Sequence, residues 1–399
     1  MARTSLDLLK GEESLIPKCG KCGLWKRCES PKMEPTGKGR KKILVIGEFP
    51  GQSEDDQGKH FVGKAGQHLW DTIESLGHSR SDVWTENAIR CRPHESGRNR
   101  TPTPHEVDFC RPNVERTIRE KEPNVILLLG SIPIGSFLKN RFPEAMSGGG
   151  MGRWTGWQIP CRSPNAWVCP TWHPSYLLRE NNEVLQREWE RHLKAAFRLK
   201  GKPWDVIPDE GREIEIILDP DEAAERIRLN RYCNRITAFD YETNCLKPDS
   251  AEAKIICCSL SNGTDTIAYP WHGSAIEATK EFLTSDVPKV GAGSKFETRW
   301  GRAKLGVWTR NWHWDIQLAA HAIDNRQGVT GVDFQGFVLL GRGDYWSHMK
   351  QFIRARRKGG NEKNRIREAG LENTLRYCAI DSLVEWRIME KQKQIMGVS

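Results

Sequence analysis

Four short apolar runs, ILVIG (43–47), VWTENAI (83–89), NVILLLG (124–130) and WVCPTW (167–172), are each followed by a loop or a helical pattern before the next begins. Helical spacing is read at Gln67–Leu76, His105–Glu120 and Asn182–Leu199, with Thr103 as N-cap and Glu106 at the capping-box offset for the second. Strands that alternate with helices must run parallel, because a tight turn can only return an antiparallel neighbour. The expected fold class is therefore α/β, a parallel sheet in an α/β/α sandwich. SGGGMG (147–152) reads as a flexible loop before a last hairpin and strand. The first run breaks at Gly47 into GEFPGQSEDDQGKHFVGKAG, rich in acids and glycines, with one isolated aromatic. Open α/β sheets present backbone N–H groups and acids to a ligand at such a carboxyl end.

At 399 residues, two cores are expected rather than one. GKPWDVIPDEG (201–211) follows a long helical pattern and is rich in proline, glycine and acids. The organisation expected is a first domain over 1–200, a linker over 201–212 and a second domain over 213–399. The second part starts a new pattern: REIEIIL as a strand, DPDEAAERIRLN as a capped helix and RITAFDYETN as an alternating strand. No internal repeat joins the two parts.

The net charge of +9 suits a polyanionic partner, although solubility alone would account for it. The longest apolar run, Val125–Leu129, is far too short to span a membrane, and MARTSLDLLKGEES contains no secretory hydrophobic region. A cytoplasmic protein without membrane partners is expected, and its twelve cysteines should be reduced. KCGKCGLWKRC holds Cys19 and Cys22 in C-x2-C spacing, which lets two thiolates reach one metal centre from a tight turn. Cys28, Cys91 and Cys110 are available to complete a four-thiolate site for zinc or for an iron–sulfur cluster.

In order and spacing, CGKCGLWKRC, GEFPGQSEDDQGKHFVGKAG, ENAIRCRPHESGRNRTPTPHEVDFCRP, VILLLG and HPSYLLR resemble the family-four, iron–sulfur uracil-DNA glycosylases over roughly residues 16–200. The resemblance implies a [4Fe–4S] cluster on Cys19, Cys22, Cys91 and Cys110, with Cys28 as an extra thiol. It also implies a pocket for a flipped base. Phe61 would stack on the base and Asn87 would read its edge. Backbone at Gly47 and Glu48 would touch it, and Glu48 would position water or steady a cationic sugar. His173 would hydrogen-bond the departing base. Leu177 or Leu178 would wedge into the duplex, with Arg179 near phosphate. Two positions depart from the family pattern. Phe49 stands where a small residue is usual, so its ring is expected to narrow or close the pocket mouth, and Glu86 stands where a hydroxyl is common.

In the second part, strand alternation puts Asp240 and Glu242 of TAFDYET on one face, where two carboxylates can share a divalent cation. Tyr377 and Asp381 of YCAID lie four apart on a helical stretch, hence on one side. With Glu297 of SKFET between them, these motifs resemble the DEDD 3′–5′ exonuclease domain of DNA polymerase I type over roughly residues 213–395. The resemblance implies an RNase H-like α/β fold with Mg²⁺ or Mn²⁺ held by Asp240, Glu242, Glu297 and Asp381, and Tyr377 orienting the attacking water. Asp315 is expected behind the ligands rather than among them. RARRKGGNEKNRIR (354–367) is a candidate phosphate-binding loop.

Together the halves resemble the N-terminal region of some phage DNA polymerases. The function expected is DNA processing that combines excision of uracil or a related base with metal-dependent 3′–5′ exonuclease activity. DNA is the expected substrate, and a separate DNA polymerase polypeptide a possible partner. The alternative is a non-catalytic glycosylase-like module, its pocket closed by Phe49, that grips DNA or a polymerase beside a working exonuclease.

Overall fold

A computed structural model describes residues 19–142, 150–343, 345, 347–353 and 361–398. It divides into two compact units, Met1–Asp205 and Val206–Ser399, a division that falls inside the Pro/Gly-rich stretch 201–212.

The first unit contains β1 (Thr36–Gly37), β2 (Ile43–Gly47), β3 (Val83–Asn87), β4 (His94–Glu95), β5 (Arg98–Asn99), β6 (Val125–Leu129), β7 (Ile159–Cys161) and β8 (Ala166–Thr171). β4 and β5 form a small ribbon, and the others form one sheet in the order β1-β3-β2-β6-β8-β7. β3, β2, β6 and β8 are mutually parallel, with antiparallel β1 and β7 at the edges. β2 and β6 are buried along their whole length, which explains their continuous apolar sequence. Each such Val, Leu or Ile contributes about 1.5–3 kcal/mol by leaving water.

Two features of this sheet place the site. The chain passes from β2 to β3 on one side and then crosses back to β6 on the other, so the strand order reverses beside β2. The register pairs Gly47 with Asn87 and Leu129 with Thr171, so these strands end nearly level. Helices Lys64–Ser75, Pro104–Lys121 and Glu183–Arg198 cover the expected helical segments. Thr103 Oγ1 accepts from Glu106 N at 3.3 Å, and Glu106 Oε2 accepts from Thr103 N at 2.7 Å, closing the capping box.

The second unit contains β9 (Glu215–Ile216), β10 (Thr237–Thr243), β11 (Ile255–Ser261), β12 (Thr266–Pro270), β13 (Lys289–Gly291) and β14 (Trp312–Asp315). Its sheet runs β14-β13-β10-β11-β12-β9. β10, β11 and β12 form an antiparallel meander, while β13 and β14 continue parallel to β10, a mixed sheet. The expected strand REIEIIL shortens to the two residues of β9, because Asp219 ends it by capping the helix Pro220–Cys233. The 26-residue helix Leu371–Met396 packs across β10, β11, β12 and β13. No helix among the described residues is long and apolar enough to cross a membrane.

Candidate active sites

The level strand ends of the first unit bring its predicted pocket residues together. Gly47 has no room for a side chain: a Cβ there would lie 2.5 Å from Asn87 Oδ1 and 2.8 Å from Phe61 Cζ. Phe61 sits in left-handed backbone, φ 53°, a conformation that a bulky residue adopts only when its surroundings impose it. Trp70 holds it there, donating Nε1–H to Phe61 O at 3.0 Å and meeting the ring edge-on at 6.3 Å. Glu54 braces the same loop by accepting from the backbone N–H of Gly51, Val62 and Gly63 at 3.1, 2.9 and 2.7 Å. Nothing in the sequence pattern singled out Glu54; only its spacing to two glycines hinted at the role.

Glu48 and His173 flank Gly130, where a Cβ would fall 2.5 Å from Glu48 Oε1 and 3.0 Å from His173 Cβ. Glu48 Oε1 accepts from Ser131 Oγ at 3.3 Å and Ile132 N at 3.4 Å, while burial pushes its carboxyl above the ordinary range. His173 caps the helix Pro174–Glu180, and its Nδ1 accepts from Ser175 N at 3.2 Å. A backbone N–H can only donate, so the ring proton of neutral His173 belongs on Nε2. Burial, reinforced by Arg179, depresses its pKa to about 4, which keeps the ring neutral near pH 7. A neutral donor is thus set beside an acid.

Two expectations need correction. Leu177 is 5% exposed and packs into the core with Leu129, Cys169 and Trp189, so it is not free to enter a duplex; Leu178, at 48%, is. Phe49 is half-buried and packs against the apolar cluster of Leu24, Ile89 and Cys91, on the cysteine-bearing side. Glu86, beside Asn87, is fully buried with Oε1 in a 2.6 Å ion pair to Arg90, which also bonds Thr117 and Glu34, while its Oε2 has no hydrogen-bond partner.

Cys19, Cys22, Cys91 and Cys110 line one cavity with Leu24 and Ile89. Among the described residues, no three of these sulfurs lie within 4.8 Å of one another. Backbone N–H groups of Lys32 and Arg90 point at Cys91 Sγ and Cys110 Sγ from 3.3 and 3.2 Å, as they would toward thiolate ligands. Without a bound centre, burial pushes both thiols up to about 12. Cys28 is outside the cavity lining, with its thiol donating to Leu24 O at 3.3 Å.

In the second unit, Asp240 and Glu242 on β10 and Asp381 on the helix Leu371–Met396 place carboxylate oxygens within 4.8 Å of one another. Burial and mutual repulsion hold Asp240 and Glu242 well above the usual carboxylate range. Burial pushes Asp381 up to about 6, opposed by hydrogen bonds from Tyr345 and Tyr377; the Tyr345 hydroxyl donates at 2.5 Å. Tyr345 escaped the sequence reading because it lies outside the YCAID motif.

Glu297 does not join this trio. It sits in the first turn of the helix Ser294–Leu305 with its carboxyl carbon against Gly291, 2% exposed, and its Oε2 has no hydrogen-bond partner. Glu385, one turn beyond Asp381, is likewise buried with an unpartnered Oε2, and its carboxyl feels the charges of Asp240, Glu297 and Asp381. Sequence reasoning missed it, though the four-residue offset was a signal. Asp315 is occupied structurally, accepting from Ser294 N at 2.8 Å and Gln317 N at 3.0 Å. Residues 354–360 of the candidate phosphate loop lie outside the described residues.

The uracil DNA glycosylase superfamily model matches residues 34–198. A type-4 uracil-DNA glycosylase of Pyrobaculum aerophilum is 34% identical over 200 residues, covering 48% of this chain and 94% of that protein. Through its first unit the chain belongs to the type-4 uracil-DNA glycosylase family. A DNA polymerase of Bacillus phage SP01 is 23% identical over 318 residues, which are 74% of this chain and 34% of that polymerase. Among solved structures, the catalytic core of RRP6 from Trypanosoma brucei aligns with a TM-score of 0.36 at 12% identity, over 46% of either chain. The chain thus spans about a third of the polymerase and under half of that nuclease structure.

Proposed function

We propose that the protein excises uracil from DNA with its first unit and shortens DNA from a 3′ end with its second. The observation that carries the first activity is the convergence of Gly47, Phe61 and Asn87 at one strand end, with Glu48 and His173 around Gly130. A flipped uracil would lie on the Phe61 ring, its N3–H facing Asn87 Oδ1. As the glycosidic bond lengthens, negative charge gathers on the base, and the Nε2–H of neutral His173 donates to it. Glu48, held by Ser131 and Ile132, would face the cationic sugar or orient the incoming water. Leu178 and Arg179 would meet the duplex and its phosphates.

Cys19, Cys22, Cys91 and Cys110 would hold a [4Fe–4S] cluster, tying the 19–28 segment to the loops at 91 and 110. Asp240, Glu242 and Asp381 would hold Mg²⁺ or Mn²⁺, which when bound stabilise attacking and leaving oxygens of a phosphodiester. Tyr345 and Tyr377 keep Asp381 oriented, and Tyr377 would also align the attacking water. Glu297 and Glu385 are further buried carboxyls beside Asp240, held well above the usual carboxylate range by burial and by their acidic neighbours.

The test is incubation of the purified chain with labelled uracil-containing and uracil-free DNA, with and without Mg²⁺. Abasic product only on uracil DNA in either condition, and shortening only with Mg²⁺, is expected. Neither product in any lane would refute both activities.

A further inference from the structure

His60 precedes the stacking residue Phe61, is 6% exposed, and has no part in the chemistry above. Its Nε2 lies 3.0 Å from Glu34 O, and its Nδ1 lies 3.1 Å from Asn87 Nδ2. A carbonyl oxygen only accepts, so Nε2 carries the ring proton. Burial lowers the ring's pKa from 6.5, which keeps the second nitrogen bare near pH 7. A bare nitrogen can face only the NH₂ end of Asn87. Asn87 Oδ1 then faces the Gly47 side, 2.5 Å from where a Cβ there would stand.

The orientation of that amide is chemically decisive. Uracil presents an N3–H donor beside an O4 acceptor. Cytosine presents an N3 acceptor beside an N4 amino donor, the reverse arrangement. An amide free to turn over would suit either base. With His60 behind it, the turned-over form sets the Asn87 oxygen against the lone pair of Nδ1, and a buried acceptor facing an acceptor is costly. We propose that His60 is a positioning residue that locks the Asn87 amide and so sets the preference for uracil over cytosine. This rests on the reading of the cleft as a uracil pocket.

The experiment compares the full-length chain with His60→Asn and His60→Gln on single-stranded oligonucleotides carrying one labelled uracil or one labelled cytosine. Asparagine returns an acceptor near the Nδ1 position, whereas glutamine keeps the reach to Glu34 O but offers nothing there. Both variants are polar and of similar size, and iron content and circular dichroism check that each folds. The expected result is that the uracil-to-cytosine ratio of kcat/KM falls at least about tenfold in His60→Gln, the loss of one buried hydrogen bond. In His60→Asn it should stay within about threefold of the unsubstituted chain. A purely structural role would slow both bases alike in both variants and leave the ratio unmoved, which overturns the inference while uracil release stands. An unsubstituted chain that releases no uracil overturns the pocket reading itself, and the inference with it.

Discussion

In the first unit's pocket, each polar group that would meet a base already has a neutral partner: Asn87 leans on His60, His173 on Ser175 and Glu48 on Ser131. In the second unit's carboxylate site, Glu297 and Glu385 each bury an oxygen with no partner, and Asp240, Glu242 and Asp381 crowd one another. Both sites are buried and polar, but the first holds a single such acid, Glu48, whereas the second packs five together. A preorganised neutral pocket can act on a base without added ions. A nest of buried acids must take up protons or cations, because an uncompensated carboxylate is too costly to leave there.

The sharpest way to break this contrast is to remove divalent ions. Chelation, or Asp240→Asn with Asp381→Asn, should reduce 3′ shortening by roughly a thousandfold or more, in line with the several kcal/mol a metal ion supplies. Abasic-site formation should not change. Equal loss of both activities on a denaturing gel would abolish the distinction.

Next in size is His173→Ala, which should slow uracil release about 10²–10³-fold, as for loss of a donor to a developing anion. The shortening rate should be untouched. The same residue gives a pH signature. Its folded pKa, about 4, lies below the ordinary 6.5, so the stability it contributes is complete above pH 6.5 and is lost as pH falls toward 4. Single-turnover base release should hold across neutral pH and fail as His173 protonates near 4. A break near 6.5 instead would mean that the ring is not sequestered.

Leu177 and Leu178 offer a smaller test of which parts of the pocket are scaffold. Leu177→Ala should lower thermal stability by about 2–5 kcal/mol, the cost of a cavity. Leu178→Ala should spare stability and weaken excision only on duplex DNA, by about tenfold against single strands. Reversed outcomes would exchange their roles. Smallest of all is Phe49→Ala, which should leave base release within about threefold. Activity that appeared only in that variant would restore the closed-pocket reading.

The parallel strands were legible because β2 and β6 are buried on both faces and therefore read as unbroken apolar runs. The trio Asp240, Glu242 and Asp381 was legible for a similar reason: strand and helix periodicity put each acid on a definite face. What stayed hidden depended on side-chain direction across long separations. Phe49 follows Glu48 directly, and no spacing rule says that its ring turns to the cysteines. Glu297 carries the right chemistry at the right motif, yet its position in the first helical turn holds it against Gly291. His60 and Tyr345 act through bonds to residues 27 and 36 positions away, which no local pattern reports.

The carboxylate trio is split between β10 and the helix Leu371–Met396, which also covers most of that sheet. During synthesis the two acids of β10 therefore leave the ribosome long before their third partner exists. A nascent chain without residues 371–396 would carry two of the acids but lack both the third and the apolar face, Leu375, Cys378 and Ala379, that packs with Cys257 and Ala268 of the sheet. Completion of the trio is in this way deferred until the covering helix has docked.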